Sequence, residues 1–218
     1  AHNANLAAAA IFRTDDTLLK RMGDLRNNHE SGMWIKYQGG EQDIKGIGKI
    51  SQDYNGFQVG FDKEMGNKWH VGLAYGQLDF DNIYRRGKGE LESKSISLYG
   101  TYLGDKGHYV DIVAKYSDID NKFDAYGGTI PQKVRGAYDT NGTTFSVEYG
   151  RRIDMSNNWF IEPQVQLTYG KLSSSSYRVT HLDGTARIEN DSVDSTLLRG
   201  GFVLGNKISE KANFYLKG

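Results

Sequence analysis

The chain has 218 residues, a formal net charge of zero, 38% hydrophobic residues and no cysteine, which excludes disulfides and thiolate metal sites and gives no electrostatic signal for nucleic acid. No run approaches the roughly 18 consecutive apolar residues of a membrane-spanning helix, the longest being the short Ala-rich piece 6–12. A mean hydropathy of -0.61 argues against lipid-facing helices but not against lipid-facing strands, because a barrel strand needs apolar side chains only at alternate positions.

Residues 2–26 read as helix. Leu6 through Ile11 are strong helix formers, and Leu18, Leu19, Met22 and Leu25 recur at helical spacing. At about 1.5 Å per residue such a helix could span roughly 39 Å, the thickness of a membrane, yet it carries too much charge to face lipid. It belongs inside something polar. The chain opens on Ala1 without an initiator Met or a signal-peptide pattern, so it is read as cut from a longer precursor.

From Gly32 the period changes to two. Phe57, Val59 and Phe61 alternate with Gln58, Gly60 and Asp62; Trp69, Val71, Leu73 and Tyr75 with His70, Gly72, Ala74 and Gly76; Val110, Ile112, Ala114 and Tyr116 with Tyr109, Asp111, Val113 and Lys115. Further on, Phe145, Val147 and Tyr149 face away from Ser146, Glu148 and Gly150, and the long segment from Trp159 to Tyr169 opposes Phe160, Glu162, Gln164, Gln166 and Thr168. Strands are expected over 32–40, 50–63, 68–80, 92–103, 108–118, 142–153, 159–172 and 193–205, with a ninth opening at Phe214. Long loops (41–49, 79–91, 119–141, 171–192) alternate with short turns (64–67, 104–107, 154–158, 206–213), the asymmetry of an outer-membrane barrel with its long loops outside. A soluble antiparallel barrel or sandwich would turn the apolar face inward. Here the opposite face holds Asp62, His70, Asp111, Lys115, Glu148 and Glu162, which want a wet interior, and aromatic residues gather near strand ends as a headgroup girdle would.

The run Leu19-Lys20-Arg21-Met22-Gly23-Asp24-Leu25-Arg26 followed by Gly32-Met33-Trp34-Ile35 resembles the junction of pore helix and first strand in the autotransporter β-domain family. Collinear matches follow at Tyr54 to Asp62, Leu98-Tyr99-Gly100-Thr101-Tyr102, Tyr109-Val110-Asp111, Val147-Glu148-Tyr149-Gly150, Trp159 to Gln164 and Leu198-Arg199-Gly200-Gly201. The resemblance implies an all-β, antiparallel transmembrane β-barrel of twelve strands, about nine of them present here, with an N-terminal α-helix in the pore. Residues 1–30 would be the pore-spanning linker helix and 31–218 the translocator barrel without its closing strands. The implied function is export and anchoring of an N-terminal passenger at the cell surface by type V secretion, from the bacterial outer membrane. Implied partners are the chain's own passenger, outer-membrane lipid and lipopolysaccharide, and the barrel assembly machinery. An eight-stranded barrel closed by residues 193–205 competes with this, but its interior would have no room for a helix.

No nucleophile, phosphate-loop or zinc signature is present, the five histidines are scattered, and neither enzyme activity, metal nor cofactor is expected. The constellation of interest is Asp111, Glu148 and Glu162 on the inward face of three strands. Their expected role is to pair with the helix cations Arg13, Lys20, Arg21 and Arg26. Some family members cut their own pore helix, and these acids resemble those that assist the cleavage. This chain has Asp16-Thr17 where such members carry paired asparagines, so self-cleavage involving Asp16, Asp111, Glu148 and Glu162 stands as an alternative, as does a general outer-membrane porin.

Overall fold

The computed structural model describes residues 18, 21–22, 31–46, 48–84, 87–127, 132–173, 175–181, 184–190, 192–209 and 212–217. One antiparallel sheet contains the strands β1 (Gly32–Gly46), β2 (Gly48–Met65), β3 (Trp69–Tyr84), β4 (Gly87–Leu103), β5 (His108–Gly127), β6 (Gln132–Arg151), β7 (Ile153–Asp154), β8 (Trp159–Leu172), β9 (Ser175–His181), β10 (Gly184–Asn190), β11 (Val193–Ser209) and β12 (Ala212–Lys217). The main path runs β1-β2-β3-β4-β5-β6-β8-β11-β12, nine strands, with β7 a short bridge to β8 and β9–β10 a hairpin beside β6.

Alternation of side chains puts two different surfaces on this sheet. Met33, Ile35, Phe61, Leu73, Ile96, Leu98, Phe145, Leu167 and Leu198 are exposed on the convex side. Gln58, Asp62, His70, Thr101, Asp111, Lys115, Ser146 and Glu148 are buried on the concave side. In water this polarity would be the wrong way round; in lipid it is the stable one. On β8 the apolar outward positions run from Trp159 to Tyr169, about 33 Å along the strand, or about 25 Å in height at the usual tilt of about 40°.

The aromatic girdle crosses the cross-strand rows obliquely. Tyr37 and Phe57 pair in one row. Tyr75 and Tyr116, joined through Ile96, lie two residues lower, and Tyr169, opposite Phe145, lies two residues lower again. Strands that tilt while their rings stay level in the membrane produce this descent.

The two ends of the sheet differ. At one, strands join through tight turns that need left-handed backbone: Gly66 (φ 67), Lys106 (φ 58) with Gly107 (φ 77), and Asn157 (φ 61) with Asn158 (φ 63). Gly107 has a second constraint, since a Cβ there would stand 2.3 Å from the Arg152 carbonyl oxygen, whose own residue donates its N–H to the Gly107 carbonyl at 2.9 Å. At the other end the expected loops are largely strand. Pairing continues to Gly46↔Gly48, Tyr84↔Gly87 and Gly127↔Gln132, and 171–192 holds the β9–β10 hairpin. Loops expected over 41–49, 79–91, 119–141 and 171–192 are thus replaced by β-ribbons rising past the girdle. In them the hydrophobic alternation changes phase: Leu78 and Phe80 are buried on the concave side while Asp79 and Asp81 point out, with no register shift on either neighbour.

Candidate functional site: the concave face

Of the N-terminal segment, Leu18, Arg21 and Met22 are described, and all three are helical. Leu18 and Met22 are fully buried in a cluster with Ala74, Tyr99 and Val113, and Trp34 packs against its edge. They therefore stand on the wall made by β1 and β3 to β5.

Arg21 is held by Asp62 of β2. Its Nε donates to Oδ2 at 2.9 Å and its Nη2 to Oδ1 at 2.8 Å, a fork that matches the carboxylate plane. Tyr99 OH donates to Oδ2 at 2.6 Å and the Gly32 backbone N–H to Oδ1 at 3.0 Å. Trp34 Nε1 donates in turn to Tyr99 OH at 2.7 Å, with the two rings edge-on at 6.3 Å between centroids. Asp62 is thus saturated by donors from the N-terminal segment, the first residue of β1, and β4. The Asp62 side chain is fully buried and that of Arg21 19% exposed, so both charges depend on this geometry for the solvation they have lost. Gly72 makes room for it: a Cβ there would meet Tyr99 Cζ at 2.4 Å and Asp62 Cβ at 2.8 Å.

The expected acids lie elsewhere on the same face. Asp111 of β5 and Glu148 of β6 are direct register partners. Asp111 is fully buried and accepts from Thr101 Oγ1 at 2.5 Å. Glu148 accepts from Tyr109 OH at 3.0 Å, and that hydroxyl also lies 3.2 Å from Gln164 Oε1; Asp111 and Glu148 have further interactions. Glu162 is not beside them. Glu148 pairs with Gln166, which places Glu162 four residues further along β8, about 13 Å toward the short-turn end, and only half-buried. Arg13, Asp16, Lys20 and Arg26 lie outside the described residues.

Sequence reasoning put Asp62 on the inward face but did not pair it with Arg21, nor bring Tyr99 and Trp34 to it. The register that brings them together is set in the β1–β2 hairpin, where Gly32 falls opposite Asp62, and strand parity alone does not give it. Further along, Gln166 Nε2 donates to Ser146 Oγ at 3.0 Å and to Thr168 Oγ1 at 3.2 Å, and the two hydroxyls lie 2.9 Å apart, so these three side chains form a polar triad on the β6–β8 wall. No group of three or more metal-ligating side chains occurs among the described residues.

Residues 33–218 match the family model described as "Autotransporter beta-domain". The pertactin autotransporter of Bordetella parapertussis is 30% identical over 210 residues, covering 93% of this chain and 22% of that protein; the chain therefore spans about a fifth of this relative's length. Among solved structures, the β domain of the Bordetella autotransporter BrkA superposes with a TM-score of 0.73 at 27% identity, covering 86% of this chain and 77% of that one. The translocator domain of NalP from Neisseria meningitidis gives 0.72 at 15% identity, covering 97% and 75%, a likeness of fold alone. With the family model covering all of the sheet but its first residue, and with the solved β domain sharing its architecture, the chain belongs to the autotransporter β-domain family.

Proposed function

We propose that this chain is the translocator unit of an autotransporter, an outer-membrane barrel that exports an N-terminal passenger and anchors it at the cell surface, without small-molecule catalysis. Residues 1–30 form the pore-spanning linker and 31–218 the barrel domain; lipid, lipopolysaccharide and the barrel assembly machinery are partners of the convex face. The observation that carries the reading is the inverted sheet, apolar outside and polar inside, with a charged residue of the N-terminal segment bound to its inner wall. A freely diffusive porin has no use for such a latch.

The acids Asp111, Glu148 and Glu162 serve the pore segment electrostatically, with Asp111 and Glu148 as one unit because they are register partners. That same pairing also favours a second reading, in which the two carboxyls assist cleavage of the segment. A deletion of residues 1–26, recorded as single channels in planar bilayers, separates plug from porin: conductance should rise severalfold. Equal conductance with and without the segment would overturn the translocator reading. N-terminal sequencing of the folded protein tests the second reading, which requires a discrete new terminus within residues 3–17.

A further inference from the structure

We infer that the outer rim of the sheet at the β2–β3 turn holds the headgroup of an aminophospholipid, with Lys63 on its phosphate and Glu64 on its ammonium; the inference rests on the lipid-facing reading of the convex side. Under that reading the short-turn end stands at the inner leaflet, where the lipid of an outer membrane is phospholipid. A groove of about 560 Å³ opens there, lined by Lys63, Glu64, Met65, Gly66, Trp69 and Val71. Met65 and Trp69, register partners across the turn, are 59% and 39% exposed. The Trp69 ring rests against Tyr102 of β4, with 5.0 Å between centroids. Rings of this kind settle at headgroup level, their apolar bodies against the acyl chains and their polar edges in water.

Lys63 is the odd member of its cross-strand row. It is exposed on the convex side, and the row continues through Val71, Gly100, Ile112, Val147 and Leu167, none of them polar. A lysine on the lipid face is destabilising unless its stem carries the ammonium to the interface. The Met65–Trp69–Tyr102 level is two residues away, about 7 Å along the strand. Phosphate oxygens are the anions available at that level. Glu64 stands one residue nearer the turn; its parity is that of the lumen, yet at the rim it is exposed and lines the same groove. Neither Lys63 nor Glu64 has a hydrogen bond or ion pair among the described residues, whereas Lys68, the other cation of this turn, is bonded to Asp105 at 3.3 Å. A lone cation would favour anionic lipids. A cation with an anion on its water side instead matches a headgroup that is itself a phosphate followed by an ammonium. A primary ammonium offers Glu64 three N–H donors, and the quaternary nitrogen of choline offers none. The clamp also links lipid to cargo, because Lys63 follows Asp62 directly: one residue binds the headgroup outside while its neighbour binds Arg21 inside.

The test places the full chain in bilayer discs of equimolar phosphatidylethanolamine, phosphatidylglycerol and phosphatidylcholine, then counts the lipids it retains on transfer to detergent by native mass spectrometry. Phosphatidylethanolamine should be retained severalfold over both others, and added lipopolysaccharide should not displace it. Lys63→Gln should lower retention of all three severalfold, while Lys63→Arg, which keeps donors for a phosphate, should retain them as the parent does. Glu64→Gln should remove the preference for ethanolamine and raise phosphatidylglycerol. Heat-modifiable gel migration should be the same in every variant, since both side chains are exposed. Equal retention of the three headgroups, parent-like retention in Lys63→Gln or Glu64→Gln, or displacement by lipopolysaccharide would overturn the clamp. Phosphatidylcholine brominated in its acyl chains separates that failure from failure of the underlying reading. Quenching of tryptophan fluorescence, with Trp69 and Trp159 on the convex side, would leave the lipid-facing surface standing without a headgroup site; no quenching would remove both.

Discussion

Replacing Asp62 by Asn leaves the shape of the inner wall in place but turns an amide N–H₂ toward one of the donors that now converge on the carboxylate. Hydrogen bonds to a charged acceptor contribute about 1.5–3 kcal/mol each, so the closed state should lose roughly ten- to hundredfold in occupancy. Single-channel dwell times measure this, and closed times equal to the parent's would show that the pair has no part in holding the segment. Gly72→Ala probes the neutral half of the same site. The added methyl collides with the Tyr99 ring, and overpacking of this kind costs about 1–3 kcal/mol, so the temperature at which the folded band is lost on a gel should fall, with Tyr99→Phe only partly restoring it. Much of this site was visible in the sequence as parity: Asp62, Asp111, Glu148 and Lys115 were all assigned inward and all are buried there. Which acid meets which cation was not legible, because strand parity gives the face of a residue while its partner depends on the register of a neighbouring strand.

Between neighbouring strands, the ribbons extend that lesson. Strand ends were expected near Phe80, Asp118 and Gly142, where outward apolar residues give way to charged ones, yet the ladders run on to Tyr84, Gly127 and Gln132. The alternation does not stop there; it inverts, and a reader following greasy outward positions loses the strand at the point where it leaves the lipid. The short turns were easier to place, since Gly66, Gly107 and Asn157-Asn158 occupy left-handed backbone that few other residues tolerate. On the β5–β6 ribbon Asp120 and Asp139 are paired across the strands. Burial, followed by the hydrogen bond and like charge of Asp139, pushes the Asp120 carboxyl above its ordinary value. A carboxyl raised in the folded state contributes stability that is complete below its unfolded pKa and is lost as pH rises through the folded one. Protection factors over 118–124, taken after correction for the intrinsic pH dependence of amide exchange, should therefore be higher at pH 4 than at pH 7, and Asp120→Asn should flatten that difference by protecting the ribbon at neutral pH. A pH dependence unaltered in the variant would remove the acid pair as its cause.

At the scale of the whole molecule, the two unlike ends of the sheet assign its orientation. Ribbons too polar for lipid stand at one end, and three-residue turns that need little room close the other, so the ribbons and the β9–β10 hairpin should face the outside. Protease sites placed at 128–131 and 182–183 should be cut on intact cells; cutting only after the outer membrane is permeabilised would reverse the topology. The oblique girdle described above has a consequence of its own. Face and height are written into each strand separately, one in the parity of a position and the other in its count from the turn. Removing two residues from β5 between Val113 and Tyr116 would leave every side chain facing as before, yet draw one ring of the girdle about 7 Å along the strand, out of level with Tyr75 and Tyr169. Removing one would exchange lumen for lipid along the rest of the strand. The barrel should tolerate the first as a local thinning of the bilayer and fail to assemble with the second, so that membrane thickness is an adjustable dimension of this fold while the side a residue faces is not.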